Sequence, residues 1–196
     1  MREFNTSGPN IPSQHYTIER TDLIEKGIKL VEKERYFTIW APRQTGKSTY
    51  FRQLAEKLEK QGYKVAHINF ENYKNASLKS FLSSLTRHIK EKWSFDYTGE
   101  TDLSHIFELI QIQRKGKCVL IIDEVEGINN EYFGDFLHSI RNAYHSRENH
   151  CLKSVILVGV SNILGVVSDN ASPFNITDNL NVPYFTNSEV FELLGQ

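Results

Sequence analysis

The chain has 196 residues, of which 39% are hydrophobic and 24% charged, a length and composition typical of one soluble α/β domain. The net charge of −1 indicates neither a basic surface for nucleic acid nor an acidic tail. The longest apolar runs are too short to span a bilayer. Two cysteines exclude a disulfide framework. Because the N-terminus also lacks the apolar region of a signal peptide, we expect a cytoplasmic protein without membrane contact.

The apolar pattern predicts helices and strands that alternate after an irregular start over residues 1–20. The predicted helices cover residues 22–34, 46–61 and 77–93, with further helical stripes over 103–110 and 133–140. The predicted strands cover residues 36–40, 65–70, 118–122 and 155–160, and an extended piece covers 180–185. Pro183 suggests an edge position for that last piece. Because 118–122 and 155–160 are continuously apolar, they predict a parallel sheet with helices on both faces.

A phosphate-binding loop is predicted where the first strand gives way to a helix. The run from Ala41 to Ser48 reads Ala-Pro-Arg-Gln-Thr-Gly-Lys-Ser, and its place between strand and helix is that of a P-loop. Backbone N–H groups of such a loop converge on phosphate oxygens. The predicted nucleotide-binding residues are Pro42, Arg43, Gln44, Thr45, Gly46, Lys47, Ser48 and Thr49.

The residue types of this loop predict ATP and Mg²⁺ as ligands. Lys47 supplies a positive charge to the β and γ phosphates, and the Ser48 hydroxyl is a magnesium ligand. Ala41 stands where the motif usually has its first glycine. Pro42 drives the residue before it into extended backbone, which alanine tolerates. The alternative, a helix that merely begins with Gly-Lys-Ser, does not explain the preceding strand.

Two acids follow the buried strand over 118–122. Asp123 is predicted to hold magnesium, directly or through water, and Glu124 to orient and deprotonate the attacking water. A solvated loop after a strand is the alternative for these two residues. Further along, Asn162 follows another buried strand, where its side chain is predicted to touch the γ phosphate or to position water; the alternative is an asparagine that starts a turn.

Three further side chains have a functional and an ordinary interpretation. Glu71 follows the second strand and either joins the water network or faces solvent. Arg141 and Arg147 are candidate arginine fingers for a neighbouring subunit, or surface arginines at the end of a helix.

These motifs together resemble the AAA-like ATPase domains of bacterial P-loop proteins, close to the AAA+ and STAND groups. The resemblance rests on Pro-Arg-Gln-Thr-Gly-Lys-Ser, Ile-Ile-Asp-Glu and Val-Ser-Asn, followed by Ser-Pro-Phe-Asn-Ile over 172–176 and Val-Pro-Tyr-Phe-Thr over 182–186. It also rests on the opening Phe-Asn-Thr-Ser-Gly-Pro over 4–9 with His-Tyr over 15–16. It implies a three-layer α/β/α sandwich of the ASCE type with parallel strand order 5-1-4-3-2.

The same resemblance implies roles for particular residues. Lys47 and Ser48 belong to Walker A and Asp123 and Glu124 to Walker B, while Asn162 falls at the sensor 1 position. The segment 1–22 falls where relatives hold adenine, so Tyr16 or Ile18 is a candidate for that pocket. The ATPase core then covers 23–196. A helix begins at the capping box of Thr186 and Glu189, and the helical lid of AAA+ relatives is not expected within the chain.

Three functions remain open from the sequence. The first is an ATPase that drives or signals conformational change in attached C-terminal domains, partner domains or a homo-oligomer, and that is slow in isolation. The second is a switch that responds to bound ATP or ADP with little turnover. The third, a small-molecule kinase, is less favoured because a glutamate at position 124 suits the activation of water.

Overall fold

A computed structural model of the chain describes residues 2–5, 8, 10–42, 44–94, 110, 116–159 and 178–195. Its strands are β1 (Phe37–Trp40), β2 (Lys64–Asn69), β3 (Cys118–Asp123), β4 (Leu152–Gly159) and β5 (Asp178–Asn181). Its helices are α1 (Thr21–Glu32), α2 (Lys47–Lys60), α3 (Leu78–Trp93), α4 (Asn130–His145) and α5 (Asn187–Leu194). Short 3-10 helices cover Val125–Gly127 and Arg147–Asn149.

The five strands form one parallel sheet in the order β2-β3-β4-β1-β5. Counted from the other edge, this is the predicted order 5-1-4-3-2, which is confirmed. β1 lies between two strands that follow it late in the chain, with Phe37 opposite Ile156 on one side and Asp178 on the other. The carboxyl ends of β1, β3 and β4 therefore meet at one edge, where open α/β sheets bind ligands.

Helices cover both faces of the sheet. In β3, Val119 and Ile121 belong to a buried cluster that includes the apolar sides of α1 and α2. Leu120 and Ile122 belong to the other cluster, which includes those of α3 and α4. Because alternate residues of a strand point to opposite faces, the uninterrupted apolar run of β3 fills both layers. The predicted three-layer α/β/α sandwich is confirmed.

Local signals place the helix ends close to their predicted positions. Ser77 caps α3 by accepting a hydrogen bond from the Ser80 N–H, as serine does at this position. Gly62 follows α2 with a φ of +87°, in the left-handed region that glycine enters without strain.

Of the stripe predicted over 103–110, only Ile110 lies within the described residues, where it is helical and buried. None of the described helices is long and apolar enough to cross a membrane.

The last strand lies earlier than predicted. β5 covers Asp178–Asn181 instead of 180–185, and its pairing with β1 ends with the hydrogen bond from the Val182 N–H to the Trp40 carbonyl. Pro183 has no N–H to continue the ladder, so the chain leaves the sheet there. The strand predicted over 155–160 begins earlier, at Leu152, and is described as far as Gly159.

A histidine on the edge strand β2 lies in an unfavourable place for a charge. The ring centre of His67 is 4.8 Å from that of Phe51, and its Nε2 is buried without a hydrogen-bond partner among the described residues. Burial, followed by the charges of Arg52, His88 and Lys92, lowers the pKa of His67 from 6.5 to about 4. His67 is therefore neutral in the folded protein at neutral pH.

This shift predicts a loss of stability in acid. Between pH 6.5 and about 4 the unfolded chain protonates His67 and the folded protein does not, so the free energy of unfolding falls as the pH falls. The loss is of the order of 3 kcal/mol at most. We expect His67→Phe to flatten this part of the profile in urea unfolding measured at several pH values.

The exposed His138, changed to Gln, controls for the loss of a histidine as such. Asp123, whose pKa is raised to about 6, makes the free energy of unfolding rise as the pH falls. The wild type and the variant share this contribution, so comparing them at each pH cancels it. A His67→Phe profile as steep as that of the wild type would contradict the assignment.

Candidate functional site

The loop between β1 and α2 contains two residues with left-handed backbone. Gly46 caps α2 with a φ of +81°, and Gln44 has a φ of +63°. The Thr45 hydroxyl donates a hydrogen bond of 2.9 Å to the Pro42 carbonyl, which closes the turn. Gly46 adopts its φ without the steric cost that a Cβ would bring. The first N–H groups of α2, which have no partner within the helix, lie at this turn.

The Lys47 ammonium is buried at the N-terminus of α2, which is the positive end of the helix dipole. It is the first residue of α2 and only 8% exposed. Both burial and the positive N-terminal end of the helix disfavour an ammonium group there. Its Nζ lies 3.2 Å from Oε1 of Glu124, so the carboxylate supplies the anion that this position requires.

The two predicted acids are adjacent but differ in their surroundings. Asp123 ends β3 and is 5% exposed, whereas the side chain of Glu124 is 32% exposed. Glu124 has a φ of 51°, in the left-handed region, which costs a non-glycine residue about 1 kcal/mol. In this conformation its N–H donates to Oδ1 of Asp123 at 3.0 Å. The backbone thus turns sharply at the acid pair.

Asp123 carries the chemistry of a cation ligand. Burial raises its pKa to about 6; the charge of Lys47 opposes this effect, and those of Glu124 and Glu126 add to it. The ionised carboxylate is therefore less stable here than in water. A divalent cation beside it would stabilise the ionised form, so the residues present fit Mg²⁺.

A cavity of about 620 Å³ opens over the loop and the acids, within the range of small-molecule sites. Its walls include Gln44, Thr45, Gly46, Lys47, Ser48, Thr49 and Glu124. Of the other predicted site residues, Pro42 and Asp123 lie outside this lining, while Arg43 and Asn162 lie outside the described residues. The fold thus brings most of the described P-loop residues and Glu124 to one open space.

The N-terminal segment forms a further wall of the cavity. The Asn10 N–H donates to the Thr49 hydroxyl at 3.2 Å, and its side-chain amide donates to the Tyr16 carbonyl at 3.0 Å. Of the two residues predicted to line an adenine pocket, Ile18 lines the cavity and is 6% exposed. Tyr16 instead stacks on Phe4, with ring centres 4.8 Å apart.

Other candidates from the sequence are placed as follows. Glu71 lines the cavity, and its N–H donates to the Asn69 side chain. Arg147 stacks on the ring of Tyr144, 4.1 Å from its centre, and donates to the Tyr144 carbonyl. Because Arg147 precedes β4, it lies at the edge of the sheet opposite the cavity of its own chain.

No role was predicted from the sequence for three of the cavity residues. Arg20, Glu126 and Phe185 line the cavity, and of these only Phe185 lies in a segment on which the family resemblance rests. Glu126 was open to prediction, because it follows Glu124 by two residues. Arg20 and Phe185 are 165 positions apart in the sequence and meet only through tertiary structure.

A match to a known protein family shows the family of this chain. Residues 31–167, more than half of the chain, match the family model described as AAA domain. The chain belongs to this family. The matched range includes β1, the P-loop and the acid pair of this AAA domain. No curated protein matches its sequence.

Solved structures share the fold of this AAA domain at low identity. The Walker-type ATPase PABY2304 of Pyrococcus abyssi is 16% identical with a TM-score of 0.73, over 97% of this chain and 60% of that one. Cdc6p from Pyrobaculum aerophilum is 15% identical with a TM-score of 0.67, over 95% and 51%. Aeropyrum pernix ORC1, solved in complex with DNA, is 15% identical with a TM-score of 0.63, over 91% and 49%. The AAA domain therefore spans about half to three-fifths of these relatives.

Close packing under the acid pair predicts an effect of one added methyl group. A Cβ on Gly127 would lie 2.3 Å from the carbonyl oxygen of Phe70, a backbone atom that cannot move aside cheaply. Gly127→Ala should therefore lower the free energy of unfolding by about 1–3 kcal/mol, measured by urea denaturation.

Gly134 provides the matched control. It lies on α4, where an added Cβ meets nothing within 4 Å, so Gly134→Ala should raise stability by about 0.5–1 kcal/mol through helix propensity. Equal effects of the two substitutions would show that Gly127 is not tightly packed in solution.

Proposed function

We propose that this AAA domain binds ATP with Mg²⁺ and hydrolyses it, and that the cycle drives or signals conformational change in attached or partner domains. The observation that carries the proposal is the Lys47 ammonium, buried at the start of α2 beside a cavity and only 3.2 Å from Glu124. A site built in this way demands an anion. The triphosphate of a nucleotide supplies one that is stronger than a single carboxylate.

Each residue of the site then has one role. The N–H groups over 44–49 and the Lys47 ammonium hold the phosphates. The Ser48 hydroxyl and Asp123 hold Mg²⁺, which when bound neutralises charge on the β and γ oxygens. Glu124, released from Lys47 by the phosphates, accepts a proton from the attacking water. Asn162 remains the predicted contact to the γ phosphate.

The nucleoside lies towards the N-terminal segment in this proposal. Ile18 and Phe185 give that end of the cavity an apolar character, and Asn10 ties the segment to Thr49 of the loop. Apolar walls with few polar groups suit a purine base. The phosphates at Lys47 and the base at Ile18 then share one continuous space.

A switch with little turnover is the second candidate, and the same ion pair favours it. Glu124 accepts a hydrogen bond from the Lys47 ammonium, and a base held in this pair would turn over slowly. A kinase is less favoured, because a glutamate at position 124 suits the activation of water. We propose attached domains or a second copy of the chain as partners. Nucleic acid is less favoured because the net charge of −1 indicates no basic surface, although ORC1 was solved with DNA.

Two substitutions on the ion pair separate binding from chemistry. Lys47→Met should abolish ATP binding, because it removes the ammonium group proposed to hold the β and γ phosphates. Glu124→Gln should bind ATP at least as tightly as the wild type, since Lys47 no longer has an anionic partner to lose. Its turnover should fall about 10²–10⁴-fold, because an amide cannot accept the proton. Calorimetry with Mg-ATP and phosphate release measure the two effects.

Lys60→Met and Glu59→Gln, at the far end of α2, remove the same charges away from the cavity and should leave both measurements unchanged. Tight ATP binding by Lys47→Met would exclude the P-loop as the phosphate site. Normal turnover by Glu124→Gln would exclude Glu124 as the base.

Turnover by the chain alone should be slow. An arginine that stabilises charge on the γ phosphate is worth about 10³–10⁵ in rate, and Arg147 faces the opposite edge of its own chain. If a neighbouring copy supplies an arginine, phosphate release per chain should rise with protein concentration. A fast rate that is independent of concentration at high dilution would show that one chain holds a complete site.

A further inference from the structure

Arg20 is a largely buried arginine that joins distant parts of the chain. Its side chain is 10% exposed and stands just before α1. Its Nε donates to Oε1 of Glu189 at 2.9 Å, and its Nη1 donates to the Pro183 carbonyl at 2.8 Å. The guanidinium also lies 5.4 Å from the centre of the Phe185 ring, a cation–π distance. All these partners belong to the segment that connects β5 to α5 and begins α5.

Phe185 brings that segment to the phosphate loop. Its ring lines the cavity, as does Arg20, and its Cζ lies 3.9 Å from the position that a Cβ on Gly46 would occupy. The ring is nevertheless 41% exposed. Contact with a ligand in the cavity would cover apolar surface of Phe185 and thereby stabilise its present position.

Glu189 connects Arg20 to the first turn of α5 through hydrogen bonds. One oxygen binds Arg20, and the other accepts the Thr186 N–H at 2.6 Å. The Thr186 hydroxyl in turn accepts the Glu189 N–H at 3.3 Å, which completes a capping box. Burial alone would raise the pKa of Glu189, but the Thr186 bonds and Arg20 outweigh it and lower the pKa. The helix start and the arginine thus share one carboxylate.

Among the residues that the structure describes, α5 packs loosely. It contains eight residues, and none of them is buried. Phe191 and Leu194 are 74% and 66% exposed. A helix this short is marginal without tertiary packing, so its order depends on the capping box and on the Arg20 contact.

We propose that Arg20 is a positioning residue that couples nucleotide occupancy of the cavity to the order of α5. The proposal rests on the proposed nucleotide binding and names the route by which the bound state leaves the site. Nucleotide fixes Phe185 and Arg20, Arg20 fixes Glu189, and Glu189 fixes the first turn of α5. Linkage requires the reverse effect as well: contacts that order α5 must raise nucleotide affinity.

Hydrogen exchange of the α5 amides, followed by mass spectrometry on the full chain with and without Mg-ADP, tests this coupling. In the wild type, saturating Mg-ADP should slow exchange over 187–194 about fivefold or more. In Arg20→Met this slowing should disappear, and the affinity for Mg-ADP in calorimetry should fall by the same factor. Arg20→Lys, which keeps the charge beside Glu189, should recover part of both effects.

Two variants separate the route from a general loosening of the helix. Glu189→Gln keeps a side chain able to accept the Thr186 N–H but weakens the bond to Arg20, so the nucleotide effect should shrink. Thr186→Ala removes a capping hydroxyl without touching Arg20. Exchange should then be faster in both states, while the ratio between them is kept.

The results distinguish this inference from the function on which it rests. Binding of Mg-ADP by the wild type with no change in α5 exchange would overturn the coupling alone. An undiminished response in Arg20→Met and Glu189→Gln, both folded by circular dichroism, would also overturn it. Absence of Mg-ADP binding to the wild type would overturn the proposed function, and the coupling with it.

Discussion

A buried ammonium group at the positive end of a helix is the constraint around which this site is organised. Lys47 gains nothing from burial or from the dipole of α2, so its position is tolerable only beside an anion. That anion is Glu124, 3.2 Å away. The parallel order of β1, β4 and β3 matters because it delivers this carboxylate to the same edge of the sheet as the loop. The ion pair therefore fixes the relative position of two segments 77 residues apart.

The proposed function gives the same contact a second consequence. In that proposal a phosphate that reaches Lys47 takes the place of Glu124, and the freed carboxylate then lies beside the phosphate chain to act as the base. Asp123 differs because it is nearly buried and has a raised pKa, which suits the proposed cation ligand. The two neighbouring acids have these different surroundings because the left-handed backbone of Glu124 turns the chain at the end of β3.

Features that follow from short stretches of sequence could be predicted, and features that follow from the assembled fold could not. The apolar run of β3 predicted a strand buried on both faces, and the Gly-Lys-Ser run predicted the start of α2 at the end of a loop. The position of β1 between β4 and β5 came from resemblance, because periodicity carries no information on strand order. Neither Arg20 nor Phe185 could be predicted as a cavity residue, since the two meet only through tertiary structure. The end of β5 was misplaced because the extended, apolar character of 180–185 continues past Pro183, where pairing stops.

The position of β1 at the heart of the sheet also has a consequence for biosynthesis. Both neighbours of β1 follow it by more than a hundred residues, since Phe37 pairs with Ile156 and Asp178. At ribosomal rates of about 5–20 residues per second, β1 waits on the order of ten seconds for its partners. During that time the apolar strand Phe37–Trp40 leaves the ribosome with both edges open, a template for wrong pairing. The strand that leads into the loop before α2 is thus made early and completed late, and the nascent chain exposes this central strand until its partners have been synthesised.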